Sequence, residues 1–169
     1  MRRIHLRVDI TTDDPPSAFA LLADFTRFPD LAEDVHAVQT RPYQPVRYSD
    51  WEVNFRRGIM RWTEEEAVDH ERLRIDFDQT DGDFEEFRGS WQLIPNAAGA
   101  EVYFEVTYDF GIESLVGIMD PIAERVIKRA ICSVLTGLFT RISVREGGEA
   151  LRDLADPPPR PASQLSGAN

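Results

Sequence analysis

Two glutamates, Glu64 and Glu66, occupy alternate positions of a segment, 60–69, that reads as a strand and also carries Met60, Trp62 and Val68. Side chains alternate across a strand, so these five share one face, while Arg61, Thr63, Glu65, Ala67 and Asp69 share the other. Burial follows the apolar members, which turns the first set inward. Carboxyls two positions apart on one strand stand about 6.6–7 Å from each other. Desolvation and mutual repulsion raise at least one pKa, so one glutamate suits the role of acid and the other that of base near neutral pH. Two other arrangements compete with this one: carboxyls solvated at an open mouth, or carboxyls paired with Arg56 or Arg88.

Few other polar groups share the inward parity. Gln79 follows Leu73, Ile75 and Phe77, which suits it either to position a carbonyl or to bond backbone at a strand end. Tyr108 lies on an apolar strand face and offers a hydroxyl to a ligand oxygen or to the protein itself. The rest of that face is aromatic: Trp51, Trp62, Phe77, Phe87, Trp91, Phe104 and Phe110, with Phe28 approaching from a preceding turn. Such a surface suits flat, conjugated molecules and equally suits an ordinary core. Gly89, between Phe87 and Trp91, leaves a gap in the wall that favours a ligand.

Other chemistries find no motif. His5 falls on the exposed parity of the first strand, His70 in a turn, and His36 at a strand start, so no histidine cluster offers a metal site. Cys132 is alone, which excludes a disulfide within the chain and a cysteine-rich zinc site. Ser90 and Ser114 sit in no nucleophile elbow, and Gly147-Gly148 reads as a helix end rather than a phosphate loop. Neither a metal nor a cofactor is expected.

The elements that must position these groups follow from periodicity. Residues 3–10 alternate, with Ile4, Leu6, Val8 and Ile10 on one side. Asp13-Asp14-Pro15-Pro16 starts a short helix at about 16–24, and a second helical turn at about 26–32 holds Phe28-Pro29. Strands follow at 34–41, 46–57, 60–69, 72–80, 86–95 and 100–111, joined by turns such as Arg57-Gly58 and Asp81-Gly82-Asp83. Connections this short make the strands antiparallel. From 114 to 143 the apolar residues recur near helical spacing, with a restart expected at Asp120-Pro121. The expectation is one α+β domain over 1–155: a curved antiparallel sheet of about seven strands gripping a long C-terminal helix, with a hydrophobic cavity between them. A Pro-rich tail, 156–169, is expected to be disordered.

Composition narrows the partners. The 169 residues carry 19 basic and 30 acidic side chains, a net charge of −11, which disfavours nucleic acid. Residues 64–86 alone hold eleven acidic and two basic side chains, a solvated face or a dock for a basic protein. No apolar run is long enough to span a membrane, and the N-terminus lacks an apolar signal core, so a cytoplasmic protein is expected.

The order of elements, the Phe28-Pro29-Asp30-Leu31 turn, Arg61-Trp62-Thr63-Glu64, Phe87-Arg88-Gly89-Ser90-Trp91-Gln92-Leu93 and Val102-Tyr103-Phe104-Glu105-Val106-Thr107-Tyr108 together carry a family likeness over about residues 3–144. The chain resembles the START-like helix-grip superfamily in its polyketide cyclase/dehydrase and coenzyme Q-binding branch. That resemblance implies a cavity for a polyketide, quinone or lipid, and cyclisation or dehydration of a polyketide in secondary metabolism, such as antibiotic biosynthesis. An acyl carrier protein is an implied partner, and a monomer or homodimer the expected state. Aromatase/cyclases of that branch often carry aromatic-x-aromatic-x-Ser-x-Arg where this chain has Met60, Trp62, Glu64 and Glu66, and tyrosine where it has Val35. Only Trp62 matches, so Glu64 and Glu66 become the candidate catalytic pair. Trp51, Met60, Trp62, Gln79, Phe87, Trp91, Tyr108 and Phe28 become the candidate substrate-binding residues. A non-catalytic carrier is the alternative.

Overall fold

A computed structural model describes residues 1–42, 45–55, 58–111, 113–149 and 151, with residues 42 and 113–118 described by backbone alone. Arg56, Arg57 and the Pro-rich tail lie outside the described residues. The chain runs β1 (Arg2–Ile10), α1 (Pro15–Ala23), a 3₁₀ turn (Phe25–Arg27) and α2 (Phe28–Leu31), then β2 (Val35–Pro42), β3 (Arg47–Phe55), β4 (Gly58–Asp69), β5 (Arg74–Gly82), β6 (Glu86–Asn96), β7 (Gly99–Asp109), α3 (Glu113–Phe139) and β8 (Ile142–Glu146). Strands β2 to β7 form consecutive antiparallel hairpins. The first strand then joins beside the seventh, giving one curved sheet in the order β2-β3-β4-β5-β6-β7-β1-β8.

Alternation decides which face is covered. In β1 the side chains of Ile4, Leu6, Val8 and Ile10 are buried, and Val102, Phe104, Val106 and Tyr108 of β7 continue the same layer. Asp14 caps α1: its two carboxylate oxygens accept from the Ser17 amide at 3.3 Å and the Ser17 hydroxyl at 2.6 Å, and proline fills the first turn. Helix α3, 27 residues and thus about 40 Å long, crosses the inner face and buries Ala123, Val126, Ile131, Val134 and Leu135.

Two expectations about the last helix need correction. It does not restart at Asp120-Pro121 but carries Pro121 in its interior. It also stops at Phe139, after which Thr140 takes a left-handed φ of 64° and residues 142–146 pair with β1 as an eighth strand. Ile142 and Val144 alternate with Ser143 and Arg145, and a five-residue strand that satisfies the open backbone edge of β1 prevails over one more helical turn. Gly147 is therefore a turn after β8 rather than a helix end. Its φ is 85°, and a Cβ there would lie 2.2 Å from the His5 carbonyl oxygen.

Gly89 leaves no gap for a ligand. A Cβ at this position would sit 2.0 Å from the Glu105 carbonyl oxygen and 2.8 Å from the Phe77 ring. Its role is to let β6 and β7 approach under an aromatic ring. Gly89→Ala is expected to cost about 3 kcal/mol through overpacking. For a chain of this size that lowers the melting temperature by roughly 6–12 °C. Thermal denaturation with no measurable drop would contradict the close approach.

Candidate active site

Strand β4 turns Trp62, Glu64 and Glu66 toward α3, and their exposures of 8%, 3% and 0% show both carboxyls inside the protein. Thr80 is the unpaired extra residue of a β-bulge in β5, which sets Gln79 opposite Glu64. On the other side, β3 places Arg47 opposite Glu66 and Ser49 opposite Glu64. The two glutamates thus meet different neighbours.

Glu66 is held on one oxygen. Its Oε1 accepts from Arg47 Nε at 2.6 Å and from Ser49 Oγ at 2.7 Å. Arg47 also donates from Nη1 to the Ala23 carbonyl at 2.6 Å and lies 4.8 Å above the Phe25 ring, which ties β3 and β4 to the end of α1. Glu64 Oε1 accepts from Trp62 Nε1 at 2.8 Å. Burial, then the charge of Glu66 and a hydrogen bond to it, hold the Glu64 carboxyl well above the usual carboxylate range. Glu66 Oε2 is buried with no partner among the described residues, and a proton on Glu64 shared with Glu66 supplies one. Arg47, Glu66 and protonated Glu64 then sum to zero charge, which makes this burial tolerable.

Glu64, but not Glu66, borders a pocket between the sheet and α3. The pocket is about 70 Å³ and is walled by aromatic rings, including Phe28, Trp51, Trp62, Phe87, Trp91 and Phe104. Ile127, Ala130 and Ile131 of α3 close it. Trp51 and Trp62 stack with centroids 5.6 Å apart and planes 2° from parallel, while Trp91 and Phe104 meet at 4.6 Å. Glu64 is the one ionisable side chain on this wall among the described residues. An apolar cavity that takes up benzene is about 150 Å³, roughly twice the volume of this pocket, so multi-ring occupants enter only if side chains move.

The candidate residues therefore separate. Trp51, Trp62, Phe87, Trp91, Phe28 and Glu64 come together at the pocket. Glu66 does not reach it, because Arg47 and Ser49 engage it behind Glu64. Met60 is half-buried and packs on the core beyond the pocket wall. Gln79 donates to the Phe84 carbonyl at 2.8 Å and accepts from the Phe84 amide at 3.3 Å, so it bonds backbone rather than facing a ligand. Tyr108 donates to the Asp120 carbonyl at 3.3 Å and pins β7 to α3; burial pushes its pKa up, and the hydroxyl stays protonated. Arg88 pairs with Glu86, and His36 and His5 face outward toward Glu52 and Glu146.

Two contributors were not singled out from the sequence. Arg47 shares inward parity with Ser49, Trp51, Val53 and Phe55, and that alternation was its signal. Phe84 lies inside the acidic 81–86 hairpin yet is 4% exposed, packed 4.6 Å from Phe87; one large apolar residue in a charged turn was the clue.

The carboxyl pair predicts a pH dependence. The folded protein keeps a proton on Glu64 that the unfolded chain releases near the ordinary glutamate value of 4.5. Its contribution is therefore complete at acid pH and is lost as pH rises toward the elevated folded value, at up to about 1.4 kcal/mol per pH unit. Glu64→Gln, whose amide reproduces the protonated acid, is expected to remove this slope. Urea unfolding at successive pH values should show the variant gaining on the parent as pH increases, and parallel curves would refute the shared proton.

Residues 14–134 match a family model described as polyketide cyclase / dehydrase and lipid transport. No curated protein matches the chain significantly. Among solved structures, a protein from Thermus thermophilus is 23% identical, covering 82% of this chain and 95% of its own, with a TM-score of 0.72. The Zhui aromatase/cyclase from a Streptomyces species is 16% identical over 90% of this chain and 96% of its own, at a TM-score of 0.67. A START superfamily protein from Mycobacterium smegmatis is 10% identical over 82% and 96%, at 0.66.

Proposed function

Because the chain belongs to the polyketide cyclase/dehydrase and lipid transport family, we propose that it binds a hydrophobic polyketide or polycyclic intermediate and promotes its cyclisation and dehydration through Glu64. The observation that carries this reading is a buried carboxyl, 3% exposed, on the wall of an aromatic pocket, where burial holds its pKa well above the usual range. In the dehydration of a β-hydroxyketone, the leaving hydroxyl takes the proton of Glu64 and departs as water. The carboxylate so formed then takes the proton from the α-carbon as the double bond closes, which restores the acid. One group serves both transfers. Glu66 acts from behind, its charge favouring the protonated form of Glu64 at the start and end of the cycle, while Arg47 holds Glu66 in place.

A second reading, a non-catalytic carrier of a lipid, quinone or polyketide, is favoured by a different observation. Most of the candidate polar side chains bond within the protein: Trp62 on Glu64, Arg47 and Ser49 on Glu66, Phe84 on Gln79, and Asp120 on Tyr108. The Trp51 indole N–H and Arg47 Nη2, like Glu66 Oε2, are buried with no partner among the described residues. Both readings require binding beside the tryptophans. Titration with an anthracene ligand is expected to quench the fluorescence of Trp51, Trp62 and Trp91, which all line the pocket. Ala130→Phe, which fills the α3 side of that pocket, should weaken binding about tenfold or more. Unchanged affinity would place the ligand elsewhere and remove both readings.

A further inference from the structure

The inner pocket, at about 70 Å³, is too small for the body of the molecule proposed above. A second cavity of about 610 Å³ lies beside it, between α3 and the region where β2, β3 and β4 begin or end. Phe55 belongs to both walls, so the two spaces adjoin across one ring. Ile59, Ile122 and Val126 make part of the outer wall apolar.

The charge in this outer space is unlike that of the molecule. The chain carries a net charge of −11, yet its lining residues include two arginines and one carboxylate. Asp34 is already committed, with its Oδ2 2.6 Å from Arg129 Nη2 and 2.7 Å from Arg129 Nε. Arg125, one helical turn earlier on the same face of α3, is exposed and meets no carboxylate among the described residues. Among the described residues one guanidinium therefore has no carboxylate partner, at the rim of an apolar space that adjoins the aromatic pocket. Guanidinium groups bind planar carboxylates and phosphates through paired donors.

We propose that this groove is the outer half of the ligand site, and that Arg125 holds the anionic end, a carboxylate or a phosphate, of an amphipathic aromatic ligand. The inference rests on the hydrophobic-ligand reading above and adds its polar end. The ligand lies along α3, its body in the groove and its leading ring against Phe55 and the inner pocket. An apolar molecule without the anion has no partner for Arg125 and loses this orientation.

Three probes that share one ring system test the assignment: anthracene carboxylate, anthracenylmethyl phosphate and anthracene methanol. The full chain is expected to bind at least one of the anions about tenfold tighter than the alcohol at roughly 20 mM salt, a gap that narrows at roughly 500 mM. Preference for the carboxylate alone would identify an acid on the ligand itself, and preference for the phosphate alone a phosphorylated arm. Arg125→Gln should bring all three within about twofold, and Arg125→Glu should put the alcohol ahead. Because Arg125 is exposed, these variants are expected to fold as the parent does. Equal affinities in the parent, or a gap that survives Arg125→Gln, would overturn the anion site while leaving the hydrophobic site intact. Failure of every probe to bind would overturn the hydrophobic-ligand reading, and the anion site with it.

Discussion

Glu64→Gln is expected to abolish dehydration while leaving the protein folded and able to bind. The amide keeps an oxygen for the Trp62 indole, 2.8 Å away in the parent, and presents an N–H toward Glu66 as the protonated acid does. It cannot release a proton. General acid–base groups contribute about 10²–10⁴-fold, and a loss of that size in kcat with KM little changed is the expected signature. The aldol adduct of benzaldehyde and acetone, a phenyl-bearing β-hydroxyketone, is a suitable substrate, since its dehydration to the conjugated enone is followed by absorbance. Glu64→Asp should retain part of the activity, because it keeps the acid and withdraws it by one methylene. If Glu64→Gln binds anthracene normally and the parent never dehydrates any β-hydroxyketone, the carrier reading replaces the enzymatic one.

The second large effect concerns the support of that carboxyl. Arg47→Met removes the cation from a buried ion pair, leaving Glu66 with Ser49 as its one remaining donor on Oε1. Breaking a buried pair from one side costs about 3–5 kcal/mol. For a chain of this size the melting temperature should fall by roughly 6–20 °C. Pairing it with Glu66→Gln should recover much of that loss, because no charge is then stranded. The double-mutant cycle measures this coupling directly. Additive losses would show that Arg47 matters through its contacts to Ala23 and Phe25 instead.

How far the sequence discloses these features depends on what each residue's pattern can encode. The strands and their inward faces are legible because period-two alternation is a local property: Trp62, Glu64 and Glu66 share a face in the sequence and in the fold. The same alternation cannot say how far along the face a side chain meets a pocket. Glu66 has the right parity and the wrong neighbour, since Arg47 reaches it from β3 across 19 positions of chain. Tyr108 and Gln79 fail as ligand contacts for a related reason, as their partners, Asp120 and Phe84, are set by packing between elements. The eighth strand was hidden differently. Ile142 fits the helical spacing of the residues before it, and the competing signal, Ile142 and Val144 on one side, spans too few residues to outweigh it. The acidic run 64–86 reads as uniform in composition but divides in space, with Glu64, Glu66 and Phe84 buried and the charges around them on the surface.

The placement of β1 also bears on how the chain is made. Residues 2–10 are made before the rest of the sheet, yet one side of that strand pairs with residues 100–108 and the other with residues 142–146. For most of synthesis β1 is an apolar strand with both edges bare, while β2 to β7 can zip together hairpin by hairpin. Sheet closure waits on contacts of the longest sequence separation, which folds slowly and leaves the nascent chain open to aggregation. The same adjacency sets β1 beside β8, so joining residues 146 and 2 and cutting a hairpin tip between β2 and β7 would yield a circular permutant in which β1 is made after both of its partners.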